Sequence, residues 1–224
     1  MSLGTPMEAD LVSRLVCLHP DGGVRTVDAT EFWAAASQGA DPMEHGHEIL
    51  VSVFSYDRDW DTAEQHPVGD EPTLVVEGAL TMLLDVDGLE QSCHVEAGTW
   101  CVVPAGVWHR ALVHRPTRAL HLTPGRGTRH RPAPDVNPEA PEPAAALVVD
   151  AVGATISVTD GVATTGPDRS QWHAALGGSV RHQSRPVVLV DLDTLVATVV
   201  PAGALPGIDE LVGPRTLVLA HGAP

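Results

Sequence analysis

The chain has 224 residues, 43% hydrophobic and 19% charged, the balance of a soluble globular protein with one large domain or two small ones. A net charge of −16 argues against a nucleic-acid surface, and all 13 basic residues are arginines, which excludes Schiff-base and lysine general-base chemistry. No apolar run reaches the length of a membrane span and no signal-peptide pattern opens the chain. Cys17, Cys93 and Cys101 form no disulfide or zinc pattern, so a reduced, cytoplasmic setting away from membranes is expected.

Residues 1–47 read as an N-terminal extension. Leu15–Leu18 and Val24–Val27 are predicted as short strands around the turn Pro20-Asp-Gly-Gly23. Asp28-Ala-Thr-Glu31 is a capping box for a short helix through Phe32, Trp33 and Ala34–Ala36, ended by Gly39. This segment is expected to pack outside the main domain or across a dimer interface. His45-Gly46-His47 is a His-x-His pair, yet Val51 and Ser52 stand where a carboxylate partner would fall. It reads as a solvated polar loop.

From Ile49 the pattern becomes all-β. Strands are predicted over Ile49–Tyr56, Thr73–Glu77, Ala79–Val86, Glu90–Val95, Trp100–Val103, Val107–His114 and Arg118–Thr123. Asp87-Gly88, Ala97-Gly98 and Pro104-Ala-Gly106 supply turns, and many short strands at close spacing mean a sandwich or barrel. Trp100 and Trp108 flank the last turn and read as packing or as pocket walls. Tyr56 is the single tyrosine, so any phenolic acid–base role would fall to it.

Glu64 and His66 are two residues apart and share a face if extended. Glu71 follows once Pro67 and Gly69 have turned the chain, and His109 arrives just after the Pro104–Gly106 corner. Two imidazoles and two carboxylates from different strands could then converge inside a closed sheet. This nitrogen and oxygen set suits a divalent transition metal better than Mg²⁺ or Ca²⁺. Glu64 reads as a ligand, as a group that orients an imidazole, or as a general base. Alternation over Val107–His114 sets His109 opposite to His114, which is therefore no co-ligand. His94 and His121 read as core or surface.

Gly98, Pro104-Ala-Gly106 and His109 are spaced as Gly-x5-Pro-x-Gly-x2-His. The earlier stretch is Glu64-x-His66, then Glu71 after four residues and Gly78 after six more. These stretches resemble the two motifs of the cupin superfamily. Glu64 stands in place of the first histidine, and Arg110-Ala-Leu-Val113 stands where an asparagine often follows the last. The resemblance implies an all-β cupin jelly-roll barrel over residues 48–123. It also implies a site of His66, Glu71, His109 and Glu64 for Fe, Mn, Ni or Zn.

Prolines 124, 132, 134, 138, 141 and 143 mark residues 124–145 as a semi-rigid linker or surface arm carrying His130. Residues 146–224 echo the first unit. Val102-Val-Pro-Ala-Gly106 recurs as Val199-Val-Pro-Ala-Gly203 (199 − 102 = 97), and Arg118-x-Leu-x-Leu122 recurs as Arg215-x-Leu-x-Leu219 (215 − 118 = 97). The expectation is a compact bicupin whose second unit has lost the site, since Pro206 stands opposite His109. The alternative is a small α/β appendage with helices over Gln171–Leu176 and Asp209–Val212.

Two functions fit. One is a metal-dependent enzyme acting on a small organic molecule by dioxygenase, isomerase or decarboxylase chemistry. The other is a metal-free module that binds or senses a small ligand. A storage role fits the site less well, and a homodimer is the expected assembly.

Overall fold

The alternation that begins at Ile49 builds a bent double-layered sheet in which a few long strands serve both layers. The computed structural model describes residues 7–19, 23–38, 40, 42–43, 48–133, 149–150, 155–159, 162–165, 187–201 and 216–221. The elements in order are β1 (Met7–Asp10), β2 (Arg14–Leu18), β3 (Val24–Asp28), α1 (Ala29–Ser37), β4 (Ile49–Tyr56) and β5 (Thr62–Gln65). Then come β6 (Glu71–Val86), β7 (Leu89–Glu96), β8 (Thr99–Val103), β9 (Trp108–Pro124) and β10 (Arg129–Pro132). The C-terminal part adds β11 (Val149–Asp150), β12 (Thr155–Thr159), β13 (Val162–Thr165), β14 (Val187–Asp191), β15 (Val196–Val200) and β16 (Thr216–His221). His45-Gly46-His47, Gly39 and the two helices of the α/β alternative lie outside the described residues.

The two segments on either side of Gly78, expected as separate strands, are one strand, β6. Likewise Val107–His114 and Arg118–Thr123 are halves of β9. Both strands bend at the same level. The first half of β6 pairs with β8 and the C-terminal half of β9; its second half pairs with β7 and the N-terminal half of β9. Register shifts between Val75 and Leu80 mark the bulge at the bend. Gly78 has φ +91°, and a Cβ there would lie 2.3 Å from the Pro116 carbonyl oxygen. Only glycine fits that close crossing. The Thr117 hydroxyl stands in for the broken ladder by accepting from the Ala79 N–H at 3.0 Å.

Among the described residues, the larger sheet runs β11-β8-β6-β9-β4-β2-β3, with β7 on β6 and with β10 on β5 and β5 on β9. Alternation along β4, β8 and β9 sorts the side chains. Ile49, Val51, Trp100, Leu120 and Leu122 face outward and pack on Val188, Val190, Ala197, Leu217 and Leu219 of the second sheet. Leu80, Met82, Leu84, Cys93, Val95, Cys101, Val103 and Ala111 fill the barrel interior. Trp100 is therefore a core anchor. Trp108 faces outward beneath the Arg131 guanidinium, 4.4 Å from its ring centre, so neither tryptophan walls the pocket.

The N-terminal helix behaves as its capping box dictates, since the Asp28 carboxylate accepts from Thr30 N–H at 2.9 Å and Glu31 N–H at 3.1 Å. Its Phe32 and Trp33 reach the mouth of the barrel cavity. The proline-rich segment differs from a linker at its start. Residues 129–132 form β10, which pairs with β5 from Arg129↔Gln65 to Pro132↔Thr62. Pro132 is tolerated there because β10 lies at the edge of the sheet.

The second sheet has the order β1-β15-β14-β16-β12-β13. An offset of 97 carries β8 (99–103) onto β15 (196–200), which have the same length. Their outer neighbours match as well. Asp150 of β11 pairs with Thr99, and Asp10 of β1 pairs with Val196, one offset further on (99 + 97 = 196). Each unit thus lends one short strand to the other's sheet. In the first sheet β4 separates β2 from β9, whereas β12 pairs directly with β16 in parallel. Among the described residues the second unit has no counterpart of β4, of β5 or of the β6–β7 hairpin.

Candidate metal centre

The two motif stretches are tied together through their backbones. The Gly106 N–H donates to the His66 carbonyl at 2.9 Å, the Gln65 side-chain amide donates to the Gly106 carbonyl at 2.6 Å, and the Ala105 N–H donates to the Asp70 carboxylate at 2.8 Å. The Pro104–Gly106 corner is thereby fastened to the loop between β5 and β6. Glu64 of β5 sits directly across from His109 of β9 in the ladder. His66 follows β5, and Glu71 opens β6 opposite Val103.

All four expected site residues meet. One ligand atom from each of Glu64, His66, Glu71 and His109 can be chosen so that all lie within 4.8 Å of one another. His66 Nε2 is 3.2 Å from Glu71 Oε1, and His109 Nε2 is 3.2 Å from Glu71 Oε2. Glu64 Oε1 stands slightly further off, 3.5 Å from His109 Nε2 and 3.9 Å from His66 Nε2. His66, Glu71 and His109 are buried, and Glu64 is half-buried at the cavity side.

His66 Nε2, His109 Nε2 and Glu71 Oε2 make no hydrogen bond within the protein despite their burial. Buried polar atoms are normally paired, and here three orphans share one point. The outer atoms of the same side chains are held. His109 Nδ1 lies 3.2 Å from the Val107 carbonyl, which can only accept, so Nδ1 carries a proton and Nε2 is the ring atom turned toward the cluster. His66 Nδ1 is 3.0 Å from the Thr128 hydroxyl, and Thr123 donates to Glu71 Oε1 at 2.6 Å. Such outer contacts fix the aim of metal-ligating side chains. The residues present fit a divalent ion.

The electrostatics are those of two ionised carboxylates held among imidazoles. Burial pushes the Glu64 carboxyl up, but contacts with His109 and His130 outweigh it and bring the pKa down to about 2. Burial opposes ionisation of Glu71 too, yet the His66 charge and His109 hold it well below the usual range. Burial disfavours charge on His109, while Glu64 and Glu71 overcome this and raise it to about 10. His130, on β10, is raised chiefly by Glu64, whose Oε2 lies 3.6 Å away.

The centre opens into a cavity of about 810 Å³. His121, expected in core or surface, is a buried pocket residue that bridges the Tyr56 hydroxyl and the Thr73 hydroxyl, each at 3.1 Å. Burial keeps it neutral. The signal existed: 109 and 121 differ by an even number, so an unbroken strand sets both on one face. His94 and His114 are instead on the outer face, sharing the Thr81 hydroxyl. The loop after β4 is pinned to β9 by the Trp60 N–H on the Ala111 carbonyl (3.0 Å) and the Val113 N–H on Asp59 (2.6 Å). This aims Trp60 into the cavity.

No family model matches the chain, and no curated protein matches it. Similarity to solved structures is found over part of the chain. A hydroquinone 1,2-dioxygenase in complex with Cd²⁺ and 4-hydroxybenzonitrile is 17% identical, covering 35% of this chain and 58% of that one, with TM-score 0.30. An oxalate oxidase in complex with glycolate is 19% identical over 36% and 45%, with TM-score 0.31. A cupin-2 domain protein from Shewanella frigidimarina is 19% identical over 41% and 74%, with TM-score 0.29. The matched part thus spans less than two thirds of the dioxygenase and oxidase chains. At these TM-scores the likeness is loose, and what defines the fold is this chain's own strand order and motif residues. They describe a β-sandwich closed by two bent strands, with an inward cluster of two imidazoles and two carboxylates. That architecture is all-β and consistent with the cupin jelly-roll expected from the motifs.

Proposed function

We propose that this protein is a metal-dependent enzyme acting on a small organic molecule, with one divalent ion held by His66, His109, Glu71 and Glu64. The observation that carries the reading is the set of three buried, unpaired atoms beside a cavity of about 810 Å³. When bound, the ion would supply a Lewis acid or, as iron, a redox centre. The chain's own residues do the rest. His66 and His109 offer Nε2, and Glu71 is oriented by Thr123. Glu64, the more exposed carboxylate, lines the cavity and is the carboxylate of the set more open to contact with a molecule there. Fe, Mn, Ni and Zn all suit this donor set.

A second reading is a metal-free binding module. It is favoured by the raised pKa of His109, because an imidazolium among two carboxylates neutralises part of the cluster without an ion. Elemental analysis of protein reconstituted with each ion separates the two. The enzyme reading expects one equivalent per chain, lost in His109→Ala. No metal in either protein would leave the binding module.

The equivalent strand exchange of β1 and β11 supports reading residues 146–224 as a degenerate second cupin unit. Of the positions matched to the site by the 97-residue offset, Pro206 replaces His109, so the metal belongs to the first unit alone. The outer face of the first sheet is covered within the chain. A homodimer therefore has to use another face, which mass in solution would test. No described helix is long and apolar enough to cross a membrane. A cytoplasmic setting agrees with three buried cysteines that form no disulfide.

A further inference from the structure

Aromatic side chains make up 4% of this chain: 5 Trp, 2 Phe and 1 Tyr. Five of those eight, Phe32, Trp33, Phe54, Tyr56 and Trp60, line the cavity beside the site. They come from three separate elements, α1, β4 and the loop after β4, so sequence neighbourhood alone does not gather them. Their rings form a continuous run. Centroids are 5.4 Å apart from Trp33 to Phe54, 6.1 Å from Phe54 to Tyr56, 5.2 Å from Tyr56 to Trp60 and 6.3 Å from Trp60 to His109. These are the separations at which offset and edge-on ring contacts are favourable. Trp33 is the outermost, 38% exposed, and His109 belongs to the metal centre. The run therefore leads from solvent to the reacting end.

The charge on the cavity wall is one-sided. Asp57, Asp59, Asp61, Glu64 and Glu71 line it, against Arg58 as the single arginine. The carboxylates and the arginine alone sum to −5 + 1 = −4, and a divalent ion leaves −2. A small dianion would meet net repulsion even at the loaded centre. A cation would be drawn to both the carboxylates and the ring faces. The volume of about 810 Å³ falls within the 300–1,000 Å³ or so typical of sites for drug-sized ligands, far more than a two-carbon acid fills.

We propose that the substrate is a planar ring compound, neutral or cationic, which enters past Trp33, stacks along Phe54, Tyr56 and Trp60, and presents its reacting group to the metal centre. The inference rests on the enzyme reading for what happens at the metal, but ring recognition belongs to the aromatic wall and exists without the ion. Tyr56 is held for this role by its hydroxyl contact with neutral His121, which fixes the plane of its ring.

The test is binding, followed by calorimetry and ligand-observed NMR, of benzylamine, benzyl alcohol, benzoate and oxalate to the Zn²⁺-loaded and metal-stripped protein. Benzylamine and benzyl alcohol should bind the loaded protein at least about tenfold more tightly than benzoate or oxalate. Phe54→Ala should weaken benzyl alcohol about tenfold. Trp33→Ala, at an exposed position with little effect on folding, should weaken it about threefold. Stripping the metal should change benzyl alcohol binding by less than about threefold. The proposal is overturned if benzoate or oxalate equals benzyl alcohol on the loaded protein, or if both variants bind as the parent does. A protein that takes up the ion but ignores all four probes also overturns it, and leaves the enzyme reading standing. Ring binding by a protein that never holds metal would do the reverse.

Discussion

His109 Nε2 and Glu71 Oε2 lie 3.2 Å apart at the bottom of the cavity, yet neither atom makes a hydrogen bond. Both belong to the cluster that His66 Nε2 also joins. Leaving such atoms unpaired in a buried site costs on the order of 1–3 kcal/mol each, which coordination to an ion would recover. Glu71→Gln keeps the shape and removes the charge. Metal affinity, read by chelator competition, should fall about a hundredfold or more while the circular dichroism spectrum stays unchanged.

Thr123 and Thr128 hold Glu71 and His66 from behind, at 2.6 Å and 3.0 Å. Thr123→Val and Thr128→Val should each lower metal affinity by about 10–100-fold, with stoichiometry still one per chain at saturation. Unchanged affinity in both would mean that neither hydroxyl sets the aim of the ligands.

Gly78 is a prediction about the fold. A Cβ there meets the Pro116 carbonyl at 2.3 Å and Thr117 Oγ1 at 2.5 Å, at φ +91°. Backbone has to move, so Gly78→Ala should cost about 2–4 kcal/mol in chemical denaturation. Gly106→Ala also sits at positive φ, +75°, but has nothing within 4 Å of the added carbon. It should cost only about 1 kcal/mol.

The pH dependence of the metal-free protein follows from the same cluster. His109 is raised to about 10, so its contribution to stability is complete below the unfolded value near 6.5 and is lost as pH rises through about 10. Glu64 is lowered to about 2, so its contribution is present above about 4.5 and is lost as pH falls through about 2. Thermal melting of stripped protein should therefore peak between about pH 4.5 and 6.5 and decline toward pH 10. His109→Gln should flatten the alkaline decline. An equally steep decline in that variant would assign it to another group.

The four clustered residues were legible because the motif turns, Pro67–Gly69 and Pro104–Gly106, act locally and fix where His66 and His109 leave the chain. The strands around them were legible from alternation. His121 was not, because Pro116 in Arg115-Pro-Thr117 reads as a break, and facing cannot be carried across a break. In the folded chain Pro116 sits at the bend where β9 passes between layers, and the strand runs through. The aromatic wall depends on where α1 docks, a tertiary fact with no local signature. Strand β10 hides at the head of a proline-rich stretch, since its order comes from pairing with β5 and from Arg131 on Asp85 at 2.8 Å.

The most direct test of the metal centre is anomalous diffraction from crystals soaked in Mn²⁺ or Zn²⁺. A single strong peak within about 2.0–2.3 Å of His66 Nε2, His109 Nε2 and a Glu71 oxygen, with Glu64 completing the set, is the predicted result. No peak there at saturating metal, or a peak only beside His94 and His114 on the outer face, would contradict it.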